Sequence, residues 1–344
     1  MRLILTGSND PYYNLAAEEY YLRECAEDVF MLWQNAPVVV IGKNQNMYAE
    51  VKLEYTESHG ILVARRITGG GAVYHDLGNV NYTFITSREK ANVLDFAYFT
   101  EPILKALAGL GIEAKLSGRN DLLARVEAEE NPADVSETGD SFEADAFAKF
   151  SGNAMTATKD RILNHGTLLF DSDLSVLEKT LNPDEEKLRK RAIKSVRSRV
   201  TNLKPLVDRP METPEFLEYL IRFIEGEFHC RREEADRLTI LATGLYDRNR
   251  SDDYNAGRRE PFDAERRHRF PSGLVVLLWN EFEGRMQDVR IEGDFFGKKD
   301  VAELAAALNG VLPERSAVWK RLSGTDVSEY LSGITTKEWI EALF

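Results

Sequence analysis

The sequence predicts an α+β fold in two domains. Strand-like and helix-like segments mix through the first 250 residues without the regular strand–helix–strand rhythm of a doubly wound sheet. A polar, charged, aperiodic stretch follows at 246–260 and reads as a linker. Beyond it, residues 261–344 carry strands and helices of their own, which suits a small α+β domain. The expected division is 1–250 and 261–344. A chain of 344 residues has room for two or three domains and can bury a large core without covalent staples.

Residues 14–25 place Leu15, Glu18, Tyr21 and Leu22 on related faces of a helix. Segments 29–33 and 38–41 are apolar and strand-like, broken by a turn at 35–37. A strand over 61–65 runs into Gly69, Gly70 and Gly71 and leaves through 72–75. Residues 81–86 alternate as a strand does, and 95–110 form a helix stopped by Gly111. Strands are expected at 121–126, 146–150 and 165–170, then a helix at 215–228. In the second domain, 273–279 and 286–292 predict a hairpin or short sheet, followed by helices at 299–308 and 336–344.

Composition removes several function classes. The net charge of −13 argues against binding to a nucleic-acid backbone, although local cations can still hold a small anion. Cys25 and Cys230 are the two cysteines, far apart and in no metal spacing, which fits a reducing cytoplasm rather than a disulfide scaffold. No apolar run approaches the ~20 residues that span a bilayer. The apolar part of the start is too short for a signal peptide, so a cytoplasmic protein without a membrane partner is expected. Residues 127–145 hold eight acidic residues and no Lys or Arg, the composition of a solvated hairpin tip, with docking as the other reading. Residues 183–205 are the reverse, with Lys187, Arg189, Lys190, Arg191, Lys194, Arg197, Arg199 and Lys204. They read as a solvated helix face or as a cationic surface for phosphates or an acidic partner.

The strongest chemical signal is the run RRITGGGAVYH, residues 65–75. Three successive glycines cost backbone entropy, so they mark either a tight turn or a close approach of backbone amides to phosphate oxygens. Arg66 would add a fixed planar cation beside them. The run is neither a Walker A loop, lacking the Lys-Ser or Lys-Thr, nor a dinucleotide fingerprint, since a strand follows it. Lys149 stands between apolar residues at a strand end, either snorkelling or bridging a carboxylate and a phosphate. His75 and His165 each flank a glycine-containing strand, as structural or ligand-facing groups. Asn120 and Asp121 either close a turn or help hold Mg2+, with Asp121 as the oxygen ligand.

The chain resembles the bacterial lipoate–protein ligases. The runs MLWQNAPVVVIGKNQN, RRITGGGAVYHDLGNVNYTF, SGRNDLL, KFSGNAMTATKDRILNHGTLLF and LNPDEEKLRKRAIKSVRSRVTNL occur in the order seen in that family. GDFFGKKDVAEL is similar to the accessory domain of its full-length members. The resemblance covers nearly the whole chain. It implies a mixed-sheet catalytic domain of the biotin/lipoate ligase type with a small α+β accessory domain. It also implies ATP-dependent activation of lipoate to lipoyl-AMP, then transfer to a lysine. Lys149 falls on the family's essential lysine, and Arg66 on a nucleotide-phosphate contact. Gly70, Gly71, Ala72, Val73 and Tyr74 fall on backbone that touches ATP, and His165, Gly166 and Thr167 lie beside the nucleotide. Lipoate is expected against Lys149, Arg66, Gly69, His75 and Trp33, its apolar tail in a slot for which Val39 and Ile41 are further candidates. The implied cofactors are ATP and Mg2+. The implied partners are lipoate, the lipoyl domains of 2-oxoacid dehydrogenase E2 subunits and the H protein of glycine cleavage.

Three departures from the family pattern stand out: Thr68 where Ser is common, Asn153 where small residues are common, and the long acidic stretch before Lys149. Two other readings stay open at this point. One is a transferase of the same superfamily working through a cysteine thioester. The other is a non-catalytic lipoate-binding protein, with a biotin ligase behind both. A closed site for adenylation and an open one for transfer also lead us to expect that 261–344 moves against the first domain.

Overall fold

The computed structural model describes residues 1–118, 120–126, 147–182, 200–256 and 261–344. All of the acidic stretch at 127–145 and most of the basic one at 183–205 lie outside them. The strands of the first domain are β1 (Arg2–Leu5), β2 (Val29–Trp33), β3 (Val38–Ile41), β4 (Leu62–Arg65), β5 (Val73–His75), β6 (Asn79–Ser87), β7 (Ala114–Ser117), β8 (Asp121–Arg125), β9 (Phe147–Ala157), β10 (Arg161–Leu169) and β11 (Arg232–Glu234). Eight of them form one mixed sheet in the order β11-β1-β2-β6-β10-β9-β8-β7. β1 runs parallel to β2 and β11, and the remaining neighbours are antiparallel. β4, β3 and β5 make a second, three-stranded sheet.

One face of the large sheet buries Phe30, Tyr82, Phe84, Leu122, Phe150, Met155 and Ile162 beneath helices Phe96–Ala108 and Thr213–Glu227. The other face meets helix Pro11–Glu24 through Tyr13, Ala17, Tyr21, Met31, Ile85 and Leu163. That helix starts three residues earlier than its apolar period suggests. Pro11 occupies its first turn, and the Asp10 carboxylate accepts from the amides of Tyr12 and Tyr13.

The linker expected at 246–260 is largely absent. Helices Leu245–Arg250 and Asp252–Ala256 fill 245–256 and pack on the first domain. Their anchors are polar, which is why the stretch shows no apolar period. Arg248 pairs with the buried carboxylate of Glu19 at 2.5 Å. Arg65 donates to the carbonyls of Gly42, Lys43, Gln45, Tyr254 and Asn255, and its own amide donates to Asn255 Oδ1. The first arginine of the pair is thus a staple between the 42–45 loop and the end of the first domain.

The second domain is an antiparallel meander of β12 (Ala264–Phe270), β13 (Gly273–Phe282) and β14 (Arg285–Gly293), covered by helices Val301–Leu308, Arg315–Arg321 and Thr336–Leu343. Its core centres on Leu277, Ile291, Phe295, Leu304 and Trp339, all buried. The segment after β14 lies on the first domain. The Gly293 amide donates to the Asn44 carbonyl at 2.8 Å, Lys43 pairs with Asp300 at 2.8 Å, and the Phe296 ring meets Phe96 edge-on.

Candidate active site

One face of the large sheet lines a cavity of about 430 Å³, to whose wall the second domain also contributes residues. Register explains which side chains reach it. Trp33 of β2 stands opposite Asn81 of β6, which stands opposite Thr167 of β10. His165 stands opposite Thr83 on one side and Ala154 on the other, and Gly152 opposite Asp121. Residues opposite one another share a face, so one row of side chains crosses five strands.

Lys149 would miss this row in a regular strand. Counting back by twos from Met155, which is buried in the core, would leave residue 149 on the core face. The pairing of β9 with β8 shifts instead. Leu122 faces Ser151 and Leu123 faces Lys149, so Phe150 is an extra residue. This β-bulge sends Phe150 into the core and turns Lys149 to the cavity. Its Nζ lies 2.7 Å from Asp121 Oδ1.

The glycine loop forms one edge of the cavity. Gly70 has φ +86°, a conformation that favours glycine. Its amide donates to the Phe295 carbonyl at 3.2 Å. A Cβ on Gly69 would lie 2.6 Å from that same oxygen, so Gly69 is small because the second domain's backbone rests on it. Gly69 does not line the cavity, whereas Gly70, Gly71, Ala72 and Val73 do. The Tyr74 side chain points to the opposite cluster with Val39, Ile41 and Met47, leaving only its backbone near the loop. Val39 and Ile41, expected in the slot, face that cluster too; the alternation of β3 puts Val40 in the cavity instead. Gly166 lacks a side chain because the Tyr82 ring would stand 2.6 Å from its Cβ.

Arg66 lines the cavity but is itself buried, and its guanidinium is committed to the protein. It donates to Thr68 Oγ1 at 2.8 Å and to the carbonyls of Val40, Gly69 and Gly71 at 3.1, 2.7 and 2.8 Å. Burial pushes it down to about 10, opposed by the charge of Glu18, so it stays a cation. In this arrangement Arg66 holds the glycine loop. Asn153, a departure from the small residue common in the family, is an anchor of the site. Buried, it accepts from the Tyr82 hydroxyl, and it exchanges hydrogen bonds with Asn120, which fixes the turn that carries Asp121.

His75 is fully enclosed at the cavity wall. Asn35 Nδ2 donates to its Nδ1 at 3.1 Å, so Nε2 carries the proton, and that atom has no partner among the described residues. A buried donor of this kind takes a water or a ligand oxygen as its acceptor. Burial, with Arg66 and His165 adding to it, pushes His75 down to about 3. The unfolded chain takes up this proton near pH 6.5, so the contribution to stability is complete above that pH and is lost as pH falls toward 3. Between pH 6.5 and 4 the unfolding free energy of the wild type should fall more steeply than that of His75→Gln, by up to about 1.4 kcal/mol per pH unit. Denaturant titrations across that range check this; parallel curves would contradict it.

Among the described residues no cluster of three or more His, Cys, Asp or Glu could hold a metal by itself; two carboxylates line the cavity, Asp121 beside Lys149 and Asp294 of the second domain beside Arg269, and Asp121 is the one on the catalytic sheet. A single carboxylate suits Mg2+, which is commonly held by one or two carboxylates together with substrate phosphates and water. Both cysteines are free, and neither lines the cavity.

A cation beside a carboxylate, backbone amides at a glycine loop and a partly apolar floor suit an enzyme that activates a carboxylic acid with a nucleotide. The comparisons agree. The chain belongs to the family of the lipoyl protein ligase A/B catalytic domain, whose model matches residues 10–225, and residues 260–343 match the bacterial lipoate protein ligase C-terminus. It is therefore an enzyme of the lipoate–protein ligase class. It is 36% identical to a lipoate-protein ligase of Bacillus subtilis, over 98% of this chain and 97% of the relative. It is also 36% identical to a lipoate–protein ligase of Staphylococcus aureus, with 97% of each covered. A lipoate-protein ligase A solved with bound ATP shares 26% identity at a TM-score of 0.57, covering 74% of this chain and 98% of its own. A bi-partite lipoate protein ligase of Thermoplasma acidophilum, described with its E2 lipoyl domain, shares 29% at 0.60, covering 75% and 98%.

Proposed function

We propose that this cavity carries out both half-reactions of lipoate ligation. A carboxylate oxygen of lipoate attacks the α-phosphorus of ATP, the bond to the β-phosphate oxygen breaks, and lipoyl-AMP and pyrophosphate form. The ε-amine of an acceptor lysine then attacks the carbonyl, AMP leaves with the bond electrons, and the amide nitrogen gives up a proton. The carrying observation is the bulge that turns the Lys149 ammonium into a cavity edged by the glycine loop.

Lys149 stands where two anions meet and offsets their repulsion. The free-standing N–H of His75 is suited to a ligand oxygen, and amides around Gly71 and Ala72 to phosphate. Leu15, Trp33 and Val40 form the apolar wall suited to the lipoyl tail. Asp121 would hold Mg2+ once phosphates complete its coordination, and the ion would neutralise phosphate charge. His165, Gly166 and Thr167 support the cavity floor. We assign both half-reactions to the first domain, 1–250 with the two short helices that end it, and an accessory role to 261–344. The acceptors we infer are the lipoyl domains of 2-oxoacid dehydrogenase E2 subunits and the glycine-cleavage H protein. We also infer a cytoplasmic location, where ATP is supplied. No helix among the described residues is long and apolar enough to cross a membrane.

The test is incubation with Mg-ATP and either lipoate or biotin, followed by mass identification of the acyl-adenylate and of the acceptor. Lipoyl-AMP, and an acceptor heavier by one lipoyl group, are expected. Biotinyl-AMP, a thioester on Cys25 or Cys230, or no adenylate would overturn the reading.

A further inference from the structure

Beneath the glycine loop lies a buried chain of polar side chains. Glu18, on the apolar face of helix Pro11–Glu24, is 1% exposed. Its carboxylate accepts from Thr83 Oγ1 at 2.5 Å and faces His165 Nδ1 at 2.9 and 3.2 Å. His165 Nε2 lies 2.9 Å from Thr68 Oγ1, and that oxygen accepts from Arg66 Nε at 2.8 Å. Arg66 in turn grips the carbonyls of Gly69 and Gly71. Trp33 Nε1, from the cavity wall, donates to Thr83 Oγ1 at 2.9 Å.

One proton arrangement leaves none of these groups unmatched. The carboxylate only accepts, so His165 Nδ1 carries a hydrogen and Nε2 is free to accept from Thr68. Thr68 takes its own hydrogen bond from Arg66. The chain therefore has a direction, from Arg66 through Thr68 and His165 to Glu18, with a positive charge at one end and a negative charge at the other. Buried charges at these depths need such matching.

We infer that Glu18 is a positioning residue for the adenylation step, acting through His165, Thr68 and Arg66 to hold the glycine loop in the shape that receives the nucleotide. The inference rests on the ligase reading above, and it adds a residue that neither lines the cavity nor touches a substrate. It also gives His165 a role beneath the loop, as the link that passes the constraint upward.

The relay predicts a split between the two half-reactions. Transfer from lipoyl-AMP already formed does not need the loop to receive ATP, whereas adenylation does. Glu18→Met keeps an unbranched side chain and removes the acceptor. It is expected to lower kcat/KM for ATP in pyrophosphate release by roughly ten- to hundredfold. Transfer from saturating synthetic lipoyl-AMP to a lipoyl domain should stay within about twofold of wild type in kcat, since only one phosphate then needs the loop and saturation offsets its weaker binding. Nitrogen-15 NMR of the His165 ring should show the proton on Nδ1 in the wild type and on Nε2 in Glu18→Met, where Nδ1–H would be buried without a partner. Glu18→Gln keeps an oxygen at the shared acceptor position and should restore the Nδ1 tautomer and most of the ATP step.

An unchanged tautomer or an unchanged ATP step in Glu18→Met would overturn the inference. So would equal losses in both half-reactions, the mark of a purely structural role. If Glu18→Met does not fold, Thr68→Val cuts the same chain one link higher at similar volume and is judged on the two half-reactions alone. The wild-type control separates the two claims. Failure to form lipoyl-AMP there removes the ligase reading and this inference with it, whereas an unmoved tautomer removes this inference alone.

Discussion

Lys149→Ala is expected to fold normally and to release pyrophosphate at least about a hundredfold more slowly than wild type, the scale set by losing one preorganised charge or donor at a reacting centre. Its side chain is 40% exposed and its ion pair among the described residues is with the similarly exposed Asp121, so removal should change stability by less than about 1 kcal/mol. The chemistry is less tolerant. The reaction joins a carboxylate to a polyphosphate, and Lys149 is the cation that the β9 bulge turns into the cavity, while Arg66 is spent on carbonyls of its own loop. Lys149→Arg should recover little activity, because a planar fork does not take the place of a compact ammonium held 2.7 Å from Asp121. Stopped assays of pyrophosphate with lipoate and Mg-ATP check both variants. Near wild-type release by Lys149→Ala would remove the residue from the mechanism.

Gly70→Val combines two effects, and its loss of ATP use should exceed its loss of stability. The backbone at φ +86° disfavours any L side chain, a β-branched one most, at a cost of about 1–2 kcal/mol. The added Cβ would also lie 3.0 Å from the Phe296 ring and 3.1 Å from Arg66 Nη2. Relief requires the second domain or the Arg66 fork to shift, and either shift moves the loop amides. We expect kcat/KM for ATP to fall about a hundredfold, more than a folded population reduced by that strain would explain. Phe296→Ala relieves the ring contact without straining the loop; combined with Gly70→Val it should recover part of the activity if the ring is the obstacle. A folded Gly70→Val enzyme with an ordinary KM for ATP would make Gly70 a turn residue only.

The Gly70–Phe295 hydrogen bond bears on how the two domains cooperate. In this arrangement the loop amide and the small surface of Gly69 serve as a seat for the second domain. The expectation of movement between domains therefore has a definite place to act, since a phosphate at Gly70 would compete with the Phe295 carbonyl for the same N–H.

Much of the fold was legible because its signals are local. Segments 29–33 and 38–41 were read with the ends that β2 and β3 have, because continuous apolar runs between turn residues leave few alternatives. Helix Phe96–Ala108 was legible from its apolar stripe, with Asp95 as its cap. The short edge strands were not. β11 is Arg232–Glu234, exposed throughout, and it exists because β1 pairs with it from the far end of the chain. No window around residue 232 carries that information. The helices at 245–256 were hidden for a related reason, since Arg65, Glu19 and Asn255 hold them and only Leu245, Tyr246 and Ala256 add apolar contact.

At the site, the sequence by itself determined the chemical inventory: a lysine between apolar residues at a strand end, three glycines in a row, a pair of arginines, and a glutamate on the apolar stripe of the first helix. These are properties of residue type and close spacing, which survive without a fold. The tertiary structure alone decided what each group faces. The extra residue Phe150 reverses the alternation of β9 and so directs Lys149, a parity that depends on pairing with β8. Arg65 and Arg66, adjacent in the chain, diverge to the end of the first domain and to the glycine loop because successive residues leave a strand on opposite sides. Glu18 finds His165 and Thr83 only when one helix packs across two strands, and its burial is tolerable only because they meet it there.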